Sequence, residues 1–220
     1  YEHITKLNYL TNYNIHNFQY IIGNPPWGYE FSETEKYELR TLFKSASGKS
    51  IESYDLFIEQ ALNHLANKGH LVYVLPEAIL TVKAHKEIRE IILKNCSIKN
   101  LDFLGNAFDG VQCPCIILDL QYTHSGLTTL GMNVNTGNKS FTINTERKVN
   151  SEYFSFTTSD AEYIVMNKIK NISNASFLLG NADFALGIVT GNNKEYISDK
   201  KTNDNEMVLK GADISKYHIN

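Results

Sequence analysis

Two kinds of apolar segment alternate along the first half of the chain, and this alternation restricts the possible folds more than any other feature. Continuous β-branched and aromatic runs predict buried strands over 18–22, 71–75, 98–104 and 111–122. Apolar residues at helical spacing predict amphipathic helices over 54–67 and 83–93. We expect Gly69 to end the first of these helices as a C-cap residue. The alternation indicates an α/β sheet with crossover helices, in which sites form at the carboxyl ends of the strands.

The remaining predicted elements follow residue 122. Residues 128–134 and 139–144 flank Asn135-Thr136-Gly137-Asn138 and predict a β-hairpin. A helix is expected over 159–172. Three of its residues are expected to face the core: Ile164, Val165 and Ile169.

The composition changes again near residue 177, where the sequence becomes irregular and rich in Asn, Lys and Gly. Such a change is typical of a domain boundary, which we place between residues 172 and 180. We therefore predict one domain over 1–172 and the beginning of another over 173–220.

Charge and cysteine content limit the partners of the protein. The formal net charge is -3, and a protein that bound DNA through phosphate contacts alone should be more basic. Cys96, Cys113 and Cys115 are too few for a disulfide framework and have no second Cys or His pair at metal-ligand spacing, so we expect buried apolar cysteines and no metal. No apolar run approaches the ~20 residues of a membrane span. We expect a soluble, cytoplasmic protein without a membrane partner.

The sharpest chemical signal is Asn24-Pro25-Pro26-Trp27, which directly follows the first predicted strand. An adenine amine is a poor nucleophile because its lone pair is delocalised into the ring. The Asn24 side-chain oxygen and the Pro25 carbonyl can accept from its two hydrogens and stabilise the charge that develops during methyl transfer. The two prolines stiffen the loop and donate no N–H, and Trp27 offers a stacking face for a base flipped out of the duplex. The alternative is a Pro-rich turn with an incidental aromatic residue.

The sequence Ile21-Ile22-Gly23-Asn24-Pro25-Pro26-Trp27-Gly28 resembles the catalytic motif of the gamma-type N6-adenine DNA methyltransferases of restriction-modification systems. Tyr54-Asp55-Leu56-Phe57-Ile58-Glu59 and Gly69-His70-Leu71-Val72-Tyr73-Val74-Leu75-Pro76 resemble the helix and strand that follow in that family. The resemblance implies a site-specific enzyme that methylates N6 of a flipped adenine in double-stranded DNA. It also allows a restriction nuclease fused to the chain or acting as its partner.

Two further segments resemble parts of the same family. Ala107-Phe108-Asp109-Gly110-Val111 resembles the motif whose aromatic residue clamps the other face of the flipped base. Phe108 would then sandwich adenine against Trp27, the alternative being an ordinary core phenylalanine. Residues 188–193 and 209–214 resemble the opening of the family's target-recognition domain.

The same resemblance implies S-adenosyl-L-methionine as the cofactor. The family's glycine-rich motif and ribose-binding acidic residue are expected upstream of Tyr1. Leu7-Asn8-Tyr9-Leu10 stands where the family has an Asp-Phe-Leu that contacts the cofactor adenine, so Asn8 is a candidate cofactor contact, with an ordinary solvated Asn as the alternative. We expect the chain to form the C-terminal half of a Rossmann-like methyltransferase sheet and these residues alone to be inactive.

Two other classes of function compete with this interpretation. Related enzymes that methylate RNA or protein amides share the Asn-Pro-Pro-aromatic loop. A non-catalytic DNA-recognition or assembly module could keep the same fold as a scaffold. The intact Asn24–Trp27 motif counts against the module, and the recognition-like segments after residue 177 count against a compact protein-glutamine enzyme.

Overall fold

The computed structural model describes residues 8–11, 17–108, 110, 112–126, 128–178, 180–183, 187–216 and 218–219. The chain divides into two compact units, Tyr1–Ile172 and Ser173–Asn220. The first is built around a six-stranded mixed sheet, and the second contains a two-stranded sheet.

The larger sheet has the strand order β1-β2-β4-β3-β5-β6. Its strands are β1 Phe18–Gly23, β2 Leu65–Pro76, β3 Cys96–Gly105, β4 Cys115–Tyr122, β5 Met132–Asn135 and β6 Ser140–Ile143. The first two pair in parallel, and β4 lies antiparallel between β2 and β3, so that β1, β2 and β3 run in the same direction. β3 pairs in parallel with β5, and the predicted hairpin is present as β5 and β6.

Helices connect the three strands that share a direction. They are α1 Glu33–Leu42, α2 Ser53–His64 and α3 Lys86–Asn95, and α4 Asp160–Lys170 follows the hairpin. The buried faces of α2 and α3 form one core with the sheet, made of Ile58, Ala61, Leu62, Ile88, Ile92, Leu71, Leu75, Leu101 and Leu118. The predicted α/β class, a Rossmann-like sheet with crossover helices, is therefore confirmed.

The opposite face of the sheet carries a row of hydrogen-bonded polar side chains. His70 Nδ1 lies 2.8 Å from Asp119 Oδ1, and Asn100 Nδ2 donates to Asp119 Oδ2 at 3.1 Å. Asn133 donates to Asn100, and Thr142 donates to Asn133. The row crosses from β2 to β6 and satisfies polar groups on a face that α2 and α3 do not cover.

Gly69 was expected to cap a helix, and the structure corrects this prediction. The helix ends earlier, at His64, and Gly69 lies inside β2. A Cβ atom on Gly69 would lie 2.7 Å from the Phe18 carbonyl oxygen and 2.9 Å from the Ala66 carbonyl oxygen. The glycine is needed because two backbone segments approach closely where the register between β1 and β2 shifts.

The predicted inward face of the helix after residue 159 is also wrong. Ile164, Val165 and Ile169 are 45%, 54% and 51% exposed, and no residue of α4 is buried. The helix is attached to the first unit by polar contacts, because Lys139 pairs with Glu162 and Arg147 pairs with Asp160. Helical periodicity identified an apolar stripe correctly but carries no information on what covers it.

The second unit is small and mostly irregular. Its described residues include the helical turn α5 Asn193–Tyr196, a 3₁₀ turn over Gly211–Asp213, and the strands β7 Ile214–Ser215 and β8 His218–Ile219. Both recognition-like segments, 188–193 and 209–214, lie in this unit. Ile188 and Val189 are 75% and 76% exposed.

Candidate active site

The Asn24–Trp27 loop lies at the carboxyl end of β1, where Gly23 pairs with Tyr73 of the parallel neighbour β2. Asn24 and Pro26 are exposed, Pro25 is buried and Trp27 is half-buried. Because β2 ends at Pro76 on the same edge of the sheet, the loops after both strands open on one side, which is where α/β sheets place their sites.

Two features fix the backbone around Trp27. On one side, the Ser53 hydroxyl donates a 2.5 Å hydrogen bond to the Pro26 carbonyl. On the other side, Gly28 has a φ of 65°, in the left-handed region that favours glycine. The indole Nε1 of Trp27 is buried without a hydrogen-bond partner among the described residues. The loop is thus held through its backbone and through the packing of the Trp27 side chain against the core.

Phe108 contacts Trp27 directly, whereas the resemblance implied that a base would lie between the two rings. The ring centroids are 5.5 Å apart and the ring planes meet at 75°, an edge-to-face contact. Rings in this contact leave no space for a third ring between them, and Phe108 is 40% exposed. Asp109 and Val111, which belong to the same family-like segment as Phe108, lie outside the described residues.

Behind the loop lies a buried polar network that sequence reasoning missed. The Tyr54 hydroxyl is 2.7 Å from His85 Nε2, and His85 Nδ1 is 2.9 Å from Asp55 Oδ2. The three residues are at most 3% exposed, and the Tyr54 and His85 rings stack. The sequence places Asp55 only in the segment Tyr54–Glu59 that resembles a helix of the family, and no sequence signal pairs residues that are 30 positions apart.

Burial shifts the pKa values of two groups in this network. Burial raises the pKa of the Asp55 carboxyl, and the hydrogen bond from His85 offsets part of the rise. Burial also raises the pKa of the Tyr54 hydroxyl, so this group keeps its proton. We therefore assign Tyr54 as the donor to His85 Nε2 and His85 Nδ1 as the donor to Asp55, an assignment that gives all three groups a partner.

Asn8 immediately precedes a short 3₁₀ turn over Tyr9–Thr11. Its Oδ1 accepts a hydrogen bond from the Leu10 N–H at 3.2 Å, and Asn8 itself is exposed. The turn packs on α2, where Tyr9 stacks on Phe57 with ring centroids 5.3 Å apart and Gln60 donates to the Tyr9 carbonyl. Leu7, also part of the predicted cofactor segment, lies outside the described residues.

Other features of the described residues supply no competing site. No group of three or more His, Cys, Asp or Glu in the described ranges could hold a metal ion, and no described helix could cross a membrane. Cys96 and Cys115 are buried as predicted, whereas Cys113 is only partly buried, so the prediction of three buried cysteines is wrong for this residue. A cavity of about 340 Å³ lies in the second unit, lined by residues 196–201 and 205–208, and contains none of the predicted site residues.

Comparison with known proteins gives one family match and several relatives. Residues 2–109 match the Eco57I restriction-modification methylase family. The type II methyltransferase M.VspI of Vibrio sp. is 29% identical over 90% of this chain and 48% of its own length. The type II restriction enzyme and methyltransferase RM.Eco57I of Escherichia coli is 26% identical over 96% of this chain and 22% of its own length.

Among solved structures, the type IIG restriction endonuclease BpuSI aligns with a TM-score of 0.45 at 14% identity, covering 58% of this chain and 16% of that protein. The chain spans about half the length of M.VspI and less of RM.Eco57I. The matched residues 2–109 contain β1, the Asn24–Trp27 loop, α2 and β2. Over these residues, slightly less than half of the chain, it is similar to the Eco57I restriction-modification methylase family.

Proposed function

We propose that the protein containing this chain transfers a methyl group from S-adenosyl-L-methionine to N6 of a flipped adenine in DNA, within a restriction-modification system. The observation that carries the proposal is the Asn24–Trp27 loop at the carboxyl end of β1, with exposed Asn24 beside an aromatic pair. The match of residues 2–109 to a restriction-modification methylase family supports it. The relatives M.VspI and RM.Eco57I, named as methyltransferases, support it further.

The chemistry follows from the acceptors in the loop. Asn24 Oδ1 and the Pro25 carbonyl would each accept a hydrogen bond from the target amine. Drawing both hydrogens away frees the nitrogen lone pair to attack the methyl carbon, and the same acceptors stabilise the positive charge on nitrogen until one proton leaves. Trp27 would stack on the base, with Phe108 closing on its other face after swinging from its edge contact.

S-adenosyl-L-methionine would supply an electrophilic methyl group on sulfur. Of the described residues, Asn8 fits the edge of such a cofactor site, because its exposed side chain borders a cavity of about 100 Å³ with Leu10 and Phe31. This cavity is too small for a whole nucleoside, so these residues would hold one side of the cofactor only. The remainder of the binding site is assigned to other parts of the protein.

The second unit is proposed as the beginning of the target-recognition domain, and the first as the catalytic domain. The exposed segments 188–193 and 209–214 lie in the second unit. Apolar side chains left exposed there, such as Ile188, Val189 and Met207, are compatible with a domain that continues in a longer protein. A nuclease fused to this protein or acting beside it is part of the same proposal.

Product analysis tests the proposal directly. The intact protein, incubated with methyl-labelled S-adenosyl-L-methionine and a mixture of duplex DNA sequences, should give DNA whose nucleoside digest contains labelled N6-methyladenine. Label in N4-methylcytosine would contradict the adenine assignment. Label found only in RNA or in protein amides would favour the related amide and RNA methyltransferases, and no label in any substrate would favour the non-catalytic module.

Trp27 should affect base binding rather than folding. If it stacks on an extrahelical adenine, Trp27→Ala should lose about 1–3 kcal/mol of stacking free energy, and Trp27→Phe should keep most of it. The measurement is the fluorescence of 2-aminopurine at the target position of a specific duplex, which rises when the base leaves the stack. A folded Trp27→Ala protein that still gives the wild-type rise would remove Trp27 from base binding, and loss of folding would assign Trp27 to the core.

A further inference from the structure

The first turn of α2 is attached to two loops that meet at the candidate site. Three consecutive residues, Ser53, Tyr54 and Asp55, are each at most 3% exposed. Ser53 donates to the Pro26 carbonyl in the loop after β1, whereas Tyr54 and Asp55 both bind His85, which follows β2. One helical turn therefore sets the distance between the segments that leave two neighbouring parallel strands.

The hydrogen bond from Ser53 restrains the peptide group between Pro26 and Trp27. The Pro26 carbonyl belongs to the peptide whose nitrogen is that of Trp27, so the Ser53 hydroxyl fixes the plane from which Trp27 leaves the loop. Pro25 and Pro26 have restricted φ angles and Gly28 bends the chain directly afterwards. Of these restraints, Ser53 is the one that comes from a different element of the fold.

The network beside Ser53 prevents the helix turn from moving. His85 has a partner on each ring nitrogen and stacks on Tyr54, with ring centroids 5.0 Å apart. Asp55 receives His85 in a site that is 1% exposed, where an unpaired carboxyl would be costly. Rotation of the turn would break both His85 contacts at once, so the Ser53 hydroxyl stays aimed at the loop.

We propose that Ser53 is a positioning residue for methyl transfer, held in place by the Tyr54–His85–Asp55 network. The proposal rests on the proposed function, because the loop that Ser53 holds is the one assigned to catalysis. Ser53 touches neither base nor cofactor in this assignment. Its hydroxyl keeps the Pro26–Trp27 peptide in the orientation that aims Asn24 and the Pro25 carbonyl at the target amine.

Ser53→Ala in the intact protein tests the proposal. The rate of single-turnover methyl transfer should fall about tenfold, the scale of one hydrogen bond, with little change in the Kd for DNA. Ser53→Thr, which keeps a hydroxyl, should restore most of the rate. Tyr54→Phe, which removes only the hydroxyl bound to His85, should lower it several-fold. Ser97→Ala is the matched control, because Ser97 is 3% exposed and lies at the start of β3. This is the end of the sheet opposite to the carboxyl ends of β1 and β2.

A second measurement tests the positioning role of Ser53 without depending on methylation activity. Trp27 is the single tryptophan of the sequence, and in a protein with any other tryptophan replaced its quenching by acrylamide reports on the loop. Ser53→Ala should increase that quenching, and Ser97→Ala should not, whether or not the protein methylates DNA. If Ser53→Ala does not fold, Ser53→Thr and Tyr54→Phe carry the test. Wild-type rates and quenching in the folded variants would overturn the positioning role.

Discussion

Asn24→Ala should lower the rate of single-turnover methyl transfer by about 10²–10³-fold, because it removes an acceptor aimed at charge that develops only in the transition state. The affinity for duplex DNA should change little, since Asn24 would contact the flipped base alone. Asn24 is exposed and follows the last residue of β1, so its truncation leaves no buried cavity. The variant should therefore melt like the wild-type protein.

Two comparisons sharpen this experiment. Asn24→Asp keeps an acceptor oxygen at the same position and should retain more of the rate than Asn24→Ala. Asn63→Ala is the control for an exposed asparagine far from the loop in sequence, on α2, and should leave the rate unchanged. A folded Asn24→Ala protein that methylates DNA at the wild-type rate would remove Asn24 from the mechanism, whereas loss of DNA binding would assign it to the interface.

The sequence predicted the elements whose signals are local. The run Phe18–Ile22 stops at a glycine and a proline and forms the strand β1 as predicted. The predicted burial of this strand is wrong, because β1 lies at the edge of the sheet and Phe18, Tyr20 and Ile22 are 41%, 66% and 74% exposed. The Asn24–Trp27 loop could be placed because it directly follows that strand. The direction of the strand then determines at which end of the sheet the loop lies. The helices and strands up to residue 122 are correct in type, with errors confined to their ends.

Contacts between distant residues had no such signal. Ser53 and Pro26 are 27 positions apart, and Tyr54 and His85 are 31 apart, so neither pairing leaves a local pattern. Gly69 was assigned to a helix end because glycine is common there, but its position is set by the close approach of the Phe18 carbonyl. The edge-to-face contact of Trp27 with Phe108 likewise depends on side-chain packing, which the resemblance to a family could not supply.

The contribution of Arg89 to stability could not be predicted from the sequence either. Nothing in the sequence distinguishes this arginine from a solvated residue of α3, yet it is 0% exposed. Its guanidinium donates to the carbonyls of Ile79 and Val82, which follow β2, and to those of Ser151 and Glu152. Burial lowers its pKa, and nearby Asp55 opposes this effect. A single side chain thus joins two segments that also meet through the hydrogen bond from the Phe154 N–H to the Leu80 carbonyl.

Arg89→Met should lower the free energy of unfolding by about 3–5 kcal/mol, because methionine fills part of the volume but removes a buried cation that donates to four carbonyl groups, of which that of Val82 keeps the His85 N–H. Arg89→Lys should recover only part of the loss, since a single ammonium group cannot reach all the carbonyl groups that the planar guanidinium contacts. Urea unfolding followed by circular dichroism measures the change, with Arg40→Met on the exposed surface of α1 as the control. Because small domains are stable by only about 5–15 kcal/mol, Arg89→Met should lower the unfolding midpoint substantially. A midpoint as high as that of Arg40→Met would show that the four carbonyls find other donors and that Arg89 does not hold the two segments together.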